Sequence, residues 1–311
     1  MKNKSFLITV DTEGDGLWSW RPGQEITTHN ANYIPRFQEL CEKYGFKPVY
    51  LTNYEMAQSD EWVSYAGKKS REGKCEIGLH VHAWNTPPSY ELNCRYGGNP
   101  YITEYPYEIM KDKTETVYRL LCEKFETQVV SHRSGRWATN KEYFDILADL
   151  GINIDCSVTP GLDLSGISGC ETNCGNDYSD APMTPYYIHP DILEVPMTTA
   201  RTRRCCSGTL KHRVKAMILK QDAWLRPITK SVKDMILLSR IVQNEDCDHL
   251  ELMIHSSELM PGGSPYFKSS DDVDRMYELL EEYFKYITNQ GYIGKTLQEF
   301  ATQEKERLAC R

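Results

Sequence analysis

The chain of 311 residues has no apolar run long enough to span a bilayer, and its mean hydropathy is −0.57. Near the N-terminus we find no apolar segment followed by a small-residue cleavage site, so we expect no signal peptide and a cytoplasmic location. The sequence also lacks a glycine-rich phosphate loop and a serine in a nucleophile-elbow context. These absences argue against a membrane-spanning helix, P-loop nucleotide enzymes and serine hydrolases.

A secreted disulfide framework is a further class that the sequence does not favour. The chain has eleven cysteines, an odd number, most of them scattered along the chain. Secreted frameworks are typically short chains with an even count. Cys170 and Cys174 are four residues apart and could hold zinc, but two more ligands at a recognisable spacing are missing. We therefore expect free cytosolic thiols.

The charge of the chain is acidic overall but unevenly distributed. There are 36 basic and 44 acidic residues, whereas residues 201–240 contain eleven Lys or Arg against two Asp. The acidic remainder argues against nucleic-acid binding. The basic segment could meet an anionic membrane surface, a diphosphate-linked substrate or an acidic partner, or it could be a solvated helical insertion. We expect a cytoplasmic protein, peripheral at the inner membrane face if this segment binds lipid.

Short apolar strands alternate with helical patterns along the chain. We predict strands at 6–10, 47–51, 76–80, 128–132, 152–156, 193–196 and 250–254, and helices at 34–44, 60–72, 107–125, 140–150, 271–288 and 297–308. Seven strands interleaved with helices predict an α/β fold with a parallel sheet, either open or closed into a barrel. We find no internal repeat and predict one domain over 1–311, with a basic helical insertion at about 201–245.

Potential metal ligands follow two of these strands. Asp11 and Glu13 come directly after the first strand, and His80 and His82 stand at the end of the third. Because residues two apart on a strand point to the same side, each pair can converge on one cleft. Two carboxylates and two imidazoles in one cleft make a plausible site for a divalent metal in a hydrolase. Asp15 is a competing acid.

Two later strands end in further polar residues. Arg133 and Arg136 flank a Ser-Gly pair and could hold a carboxylate bidentately, or form a surface cluster. His255 ends the last clear strand and is a general acid or base by residue type. Asp155 could orient a histidine, or cap a loop. Since active sites of parallel sheets form at the C-terminal ends of strands, we expect these side chains to meet.

The order of these motifs resembles the polysaccharide deacetylase (NodB-like) superfamily of metal-dependent carbohydrate esterases. The matching segments cover residues 11–14, 76–82, 133–137 and 252–255. Residues 80–88 and 255–266 are also similar to deacetylase-like proteins of O-antigen and capsule clusters. The usual pattern has two adjacent Asp and two His four apart, whereas here each pair is two residues apart. The resemblance implies a distorted (β/α)₇ barrel.

The resemblance also implies roles for individual residues. Glu13, His80 and His82 would hold a divalent metal, with zinc the first expectation and cobalt, manganese, iron or nickel as alternatives. Asp11 would be the catalytic base, held by Arg133, and His255 would protonate the leaving amine. The candidates for substrate binding are Trp84, Asn85, Arg136, Trp137 and Glu258.

The implied function is removal of an N-acetyl group from a sugar in surface polysaccharide biosynthesis, either O-antigen (lipopolysaccharide) or capsule. Its partner would be an N-acetylated sugar or glycan. Two alternatives remain open. One is another hydrolase of C–N or ester bonds on the same fold. The other is a metal-free relative that binds or scaffolds glycan without chemistry.

Overall fold

The computed structural model describes residues 4–21, 23–172, 174–202, 221–229, 231–244 and 247–309. The strands are β1 (Ser5–Thr12), β2 (Val49–Thr52), β3 (Glu76–Val81), β4 (Ser131–Ser134), β5 (Ile154–Asp155), β6 (Tyr186–His189), β7 (Ile192–Glu194), β8 (Thr199–Thr202), β9 (Gln221–Trp224), β10 (His249–His255) and β11 (Ile293–Gly294). The helices are α1 (Ile34–Lys43), α2 (Asp60–Arg71), α3 (Tyr107–Phe125), α4 (Lys141–Asp149), α5 (Val232–Gln243), α6 (Ser270–Asn289) and α7 (Leu297–Ala309).

One curled sheet forms the centre of the fold. Its strand order is β10-β1-β2-β3-β4-β5-β7-β6, with β11 beside the start of β1. All neighbours on this path pair in parallel except β6 and β7. The seven predicted strands correspond to the seven parallel strands of this path. The predicted fold class, an α/β fold with a distorted parallel barrel, is confirmed as a curled half-barrel.

Irregular backbone bridges the open side of the sheet between β7 and β10. The Glu251 backbone N–H donates to Thr198 Oγ1 at 2.8 Å, and the Met253 N–H donates to the Leu225 carbonyl at 3.1 Å. In the described part of the chain no strand ladder joins β7 to β10. These two hydrogen bonds pair buried backbone N–H groups on the side of β10 that has no neighbouring strand among the described residues, and they bring the residue after β9 next to the site.

Alternation along the strands divides the residues between two cores. Outward side chains of β1, such as Phe6 and Ile8, pack against the surrounding helices. The inner face carries Leu7, Thr9 and Asp11, and the bottom of the barrel is filled by a second apolar cluster: Leu7, Val49, Leu51, Val130, Ile154, Cys156, Leu193, Val195, Leu297, Phe300 and Ala301. The inner face thus changes from apolar to polar towards the C-terminal ends of the strands.

The helices begin close to the predicted positions because the sequence provides their caps. Asn140 precedes α4 and its side chain accepts from the Tyr143 N–H at 2.8 Å. Ser59 caps α2 by accepting from the Trp62 N–H, and Ser269 caps α6. A serine or asparagine in this position satisfies backbone donors that the first turn leaves unpaired.

The prediction of free thiols was wrong at one pair of cysteines. Cys94 and Cys170 form a disulfide, with their Cα atoms 4.3 Å apart. A disulfide-bonded Cys170 cannot ligate zinc, so the zinc site considered with Cys174 is also wrong. Disulfides are unusual in cytosolic proteins, and this one does not favour the predicted cytoplasmic location. Among the described residues, no helix is both long enough and apolar enough to cross a membrane.

The basic segment predicted as a helical insertion is only partly within the described residues. Residues 203–220, which carry most of its charge, lie outside them. On either side, β8 and β9 pair antiparallel, and α5 packs against α6 and β8. The predicted contact of 201–240 with a membrane or a diphosphate stays a prediction.

Candidate active site

A polar cavity of about 470 Å³ opens at the C-terminal ends of the parallel strands. β1, β3 and β10 end beside it and bring together five of the predicted residues, Asp11, Glu13, His80, His82 and His255. The rest of the lining is Leu17, Trp18, Trp84, Asn99, Arg136, Trp137, Trp224, Arg226, Ile228 and Tyr266. The placement at the strand ends follows the rule for parallel α/β sheets.

Glu13, His80 and His82 form a compact cluster of possible metal ligands. Glu13 Oε1 lies 3.0 Å from His80 Nε2 and 3.0 Å from His82 Nε2, and the two Nε2 atoms are 3.0 Å apart. All three side chains are buried. One carboxylate and two imidazoles are a ligand set that suits zinc and related divalent metals.

The orientation of His80 supports this assignment. Its Nδ1 lies 2.8 Å from the Arg133 carbonyl, which only accepts, so Nδ1 carries a proton and Nε2 is the nitrogen that faces Glu13 and His82. Burial lowers the pKa of His80, but Asp11 and Glu13 outweigh it and raise the pKa, so a cation bound at Nε2 would take the place of a proton. A histidine ligand commonly has its other nitrogen held in this way. Two Nε2 atoms that face each other across 3.0 Å fit a shared cation, or a single shared proton.

The electrostatics of the cluster favour an ionised Glu13. Burial raises its pKa, but His82, His255 and the contact with His80 outweigh burial and hold the pKa well below its usual range. Burial lowers the pKa of His82, which stacks on Trp84 with ring centroids 4.4 Å apart. A charged carboxylate beside an imidazole that stays neutral is the state in which both can bind a metal.

Asp11 is held from below by a buried arginine. Arg133 Nη1 donates to Asp11 Oδ1 at 2.6 Å, and Arg133 Nη2 donates to Thr9 Oγ1 at 2.9 Å and to Glu251. Although burial raises the pKa of Asp11, Arg133, His80 and His255 outweigh it and lower the pKa. Asp11 is therefore ionised at neutral pH and fixed in one orientation.

His255 lies on the other side of Asp11. Its Nε2 is 3.8 Å from Asp11 Oδ2, and its Nδ1 is 3.1 Å from Arg226 Nη2. Arg226 also donates to Glu258 Oε1 at 2.7 Å, and Glu258 Oε2 accepts from the His255 backbone N–H at 3.0 Å. Since the arginine can only donate, Nε2 carries the hydrogen of the neutral His255 ring and faces Asp11.

The sharp turn after β4 places Arg136 and Trp137 at the cavity. Both residues are in the left-handed region, with φ of 58° and 56°. Residues other than glycine rarely adopt this backbone conformation, which costs about 1–3 kcal/mol per residue and is found mostly at functional sites. Gly135 precedes them because a Cβ there would lie 2.4 Å from the Val81 carbonyl oxygen and 2.6 Å from His82 Cδ2.

Five predicted site residues lie outside the cavity lining, one of which, Arg133, acts on the site through Asp11. Asp15 accepts from the backbone N–H groups of 29 and 30 and thus holds the loop after β1. Asn85 is half-buried, and Glu258 is buried behind His255. The carboxylate of Asp155 contacts His132 Nδ1 at 2.6 Å, so it orients a histidine, but one that faces Tyr143 rather than the cavity. Asp15, Asn85 and Glu258 are therefore not placed for the predicted ligand and substrate roles, whereas Asp155 orients a histidine, one of the two roles considered for it.

Other cavity residues were not predicted. Trp18 packs edge-on against His255, with ring centroids 4.8 Å apart, and Tyr266 lies next to Trp18. Trp224 and Arg226 come from the end of β9 and the residues after it. The sequence does contain a signal for this last pair: Trp224 and Arg226 are two residues apart in the basic segment, so an extended backbone places both side chains on the same face. The sequence interpretation of that segment, an anionic partner or a solvated helical insertion, does not place this pair at the site.

No family model matches the chain, and no curated protein matches it. Among solved structures, it is similar to a Mycobacterium smegmatis protein assigned to the polysaccharide deacetylases (TM-score 0.54, 13% identity, 98% of this chain and 92% of that one). It is also similar to the 4-alpha-glucanotransferase of Thermococcus litoralis (TM-score 0.56, 14% identity, 97% of this chain and 40% of that one). At these identities the similarity shows a shared α/β fold, and function has to be argued from the site.

Proposed function

We propose that this protein is a metal-dependent hydrolase that removes an N-acetyl group from a sugar. The observation that supports this most is the placement of Asp11, held by Arg133, beside the cluster of Glu13, His80 and His82 in one cavity. A nucleophilic serine or a phosphate-binding loop would indicate a different reaction, and the described lining contains neither.

The residues present fit a divalent cation. Glu13 Oε1, His80 Nε2 and His82 Nε2 would hold it, because these three atoms are buried and lie 3.0 Å from one another. Bound there, a divalent cation lowers the pKa of water and polarises a carbonyl group. Zinc is the first candidate for this N/O ligand set, and cobalt, manganese, iron and nickel are alternatives.

Asp11 is the proposed general base. It is ionised, it lines the cavity, and Arg133 fixes one of its oxygens at 2.6 Å while the other faces His255. A carboxylate held in this way can take the proton of an attacking water without losing its position. Arg133 acts through Asp11 and is a positioning residue.

His255 is the proposed general acid for the departing amine. Its Nε2 faces the cavity on the side of Asp11. The imidazolium form needed for this transfer would carry a second hydrogen on Nδ1, where Arg226 Nη2 now donates, so Arg226 has to give up that contact. The negative charge of Glu258, with Oε2 3.9 Å from Nδ1, favours this form. The amide bond breaks to give acetate and the sugar amine, which receives the proton from Nε2.

The aromatic lining supports a sugar as substrate. Trp18, Trp84, Trp137 and Trp224 surround the cluster with large, flat, partly apolar faces. Such surfaces pack against the C–H faces of pyranose rings, while the polar groups set the orientation of the ligand. A role in O-antigen or capsule biosynthesis is the proposed context for such a sugar.

Metal content and acetate release test the proposal together. We expect protein purified without a metal-affinity tag to hold about one divalent ion per chain, and to release acetate from N-acetylated amino sugars after loading with zinc. Glu13→Gln, His80→Ala and His82→Ala should each lose most of the metal. Asp11→Asn should keep the metal and lose turnover by about 10²-fold or more, and so should His255→Asn.

The outcomes separate the alternatives. Full metal occupancy in both histidine variants would refute the ligand assignment, and the metal-free glycan-binding alternative would then be preferred. Metal binding with no acetate release from any amino sugar, but hydrolysis of other amides or esters, would indicate a different hydrolase on the same fold.

A further inference from the structure

One positive charge at the cavity has no carboxylate partner. Arg133 contacts Asp11 and Glu251, and Arg226 contacts Glu258. Arg136 also lines the cavity, but in the described part of the chain it forms no ion pair. The carboxylate of Glu104 acts on it from a distance and accepts hydrogen bonds from backbone N–H groups, including those of Cys170 and Thr172. A partly buried guanidinium without a carboxylate in direct contact is costly, so an acidic group that arrives with the substrate is a natural partner.

The surroundings hold Arg136 firmly in this position. Its Nη2 donates to the Ser168 carbonyl at 2.9 Å, its Nη1 donates to the Asn99 carbonyl, and its guanidinium lies 4.1 Å from the centre of the Tyr101 ring. The Cys94–Cys170 disulfide ties together the two loops that provide these carbonyls. Two of the five N–H groups are used by neutral acceptors, which leaves the side chain charged, oriented and able to donate further.

Three residues that line the cavity carry buried N–H groups without an acceptor in the described part of the chain. The N–H groups Trp84 Nε1, Trp137 Nε1 and Arg226 Nε are buried and have no acceptor among the described residues. The lining carboxylates of Asp11 and Glu13 already have partners. These three N–H groups have almost no accessible surface, so the donor offered to a ligand in the cavity is the guanidinium of Arg136. A carboxylate or phosphate only accepts, which suits a side chain that can only donate, whereas a neutral sugar hydroxyl both donates and accepts.

We propose that the substrate sugar carries an acidic substituent, a carboxylate or a phosphate, and that Arg136 binds it. This inference deepens the proposed function and rests on it for the reaction, but not for the binding. Arg136 becomes the residue that selects acidic over neutral N-acetylated sugars, because the neutral analogue leaves the arginine without a counter-charge.

Matched pairs of sugars test the inference. The probes are the methyl glycosides of N-acetylglucosamine and N-acetylgalactosamine, each compared with its uronic acid and its 6-phosphate. Acetate release gives kcat/KM for each sugar, and calorimetric titration of the zinc-loaded Asp11→Asn protein gives Kd without turnover. We expect the acidic member of at least one pair to be preferred about tenfold or more. The uronic acid and 6-phosphate arms identify which acid the site takes.

Arg136→Gln should reduce that preference to about one, through KM and Kd rather than kcat. Arg71→Gln is the matched control, since it removes an exposed arginine from α2 that pairs with Glu126. Arg136→Lys, which keeps the charge, should retain part of the preference, as a purely structural role would not.

The two proposals fail in different ways. Acetate release with no preference for acidic sugars, or a preference unchanged in Arg136→Gln, would refute the inference and leave the proposed function intact. Preferential binding of acidic sugars without any acetate release would refute the proposed function and support the inference.

Discussion

Replacing Arg133 tests the electrostatic reasoning about the site most directly. The side chain is fully buried and donates to Asp11, Thr9, Glu251 and the Cys156 carbonyl. Arg133→Met keeps much of the volume but leaves two carboxylates buried without their cation. Removing one partner of a buried charge pair costs about 3–5 kcal/mol, a large share of the ~5–15 kcal/mol of a typical protein.

The sign of the pH dependence follows from Asp11. In the wild type its pKa lies below the ordinary value of 3.8, so its favourable contribution is present above pH 3.8 and is lost as the pH falls through the lowered pKa. Without Arg133, burial is the largest remaining influence and raises the pKa of the folded state. The variant should therefore be penalised most at neutral pH, and less as falling pH protonates the carboxylate.

Urea unfolding of both proteins at pH 8 and pH 5 measures this difference. We expect a loss of about 3–5 kcal/mol at pH 8 and a clearly smaller loss at pH 5. Arg133→Met combined with Glu251→Gln should lose less than the sum of the single changes, because one unpaired charge is then removed. Arg119→Met is the control, since Arg119 is exposed on α3 and its change should stay within ~0.5 kcal/mol.

Two results would refute the reasoning. A loss of less than about 1 kcal/mol at pH 8 would mean that Arg133 is not the buried counter-charge of Asp11. An equal loss at both pH values would mean that packing, rather than charge, accounts for the effect. If Arg133→Met does not fold at pH 8, the charge argument predicts that it folds at pH 5, and failure to fold at both pH values would contradict it.

Three further predictions concern other parts of the chain. Cys94→Ser should lower the free energy of unfolding by up to about 4.5 kcal/mol, since the disulfide joins residues 76 apart, and denaturant titration with and without reductant measures it. Gly135→Ala should reduce metal content, because its Cβ would meet the Val81 carbonyl oxygen at 2.4 Å, whereas Gly166→Ala, which meets nothing, should not. If 201–240 binds anionic membranes, the protein should sediment with acidic vesicles at low salt and be released at high salt, and equal binding to neutral vesicles would contradict this.

The sequence predicted the central strands well because their pattern is unambiguous. Apolar side chains lie on the outer face of β1, and polar residues follow at a spacing of two, so the inner positions of Asp11 and Glu13 could be predicted. The same logic placed His80 and His82. These are local properties of an extended chain, which need no knowledge of the rest of the fold.

Contacts between distant segments could not be predicted in this way. Arg226 reaches His255 because the residues after β9 bridge the open side of the sheet, and no periodicity in the sequence indicates that bridge. The pairing of Cys94 with Cys170 likewise depends on two loops meeting. With eleven cysteines, the sequence leaves too many combinations for spacing to select one.

The acidic pair and the histidine pair each differ in spacing from the deacetylase motifs that the sequence resembles, and the two differences have the same structural consequence. An extended strand sends adjacent residues to opposite faces, so two adjacent acids would need an irregular backbone to converge. Here Glu13 and His82 each directly follow a strand, and each partner lies two residues earlier on the same inner face. Both departures therefore keep the backbone extended up to the cluster. This makes the cluster depend on β1 and β3, two parallel strands that are hydrogen-bonded on both sides, rather than on loop conformation. A site positioned by central strands is rigid, which is what binding a cation through three short, converging side chains requires.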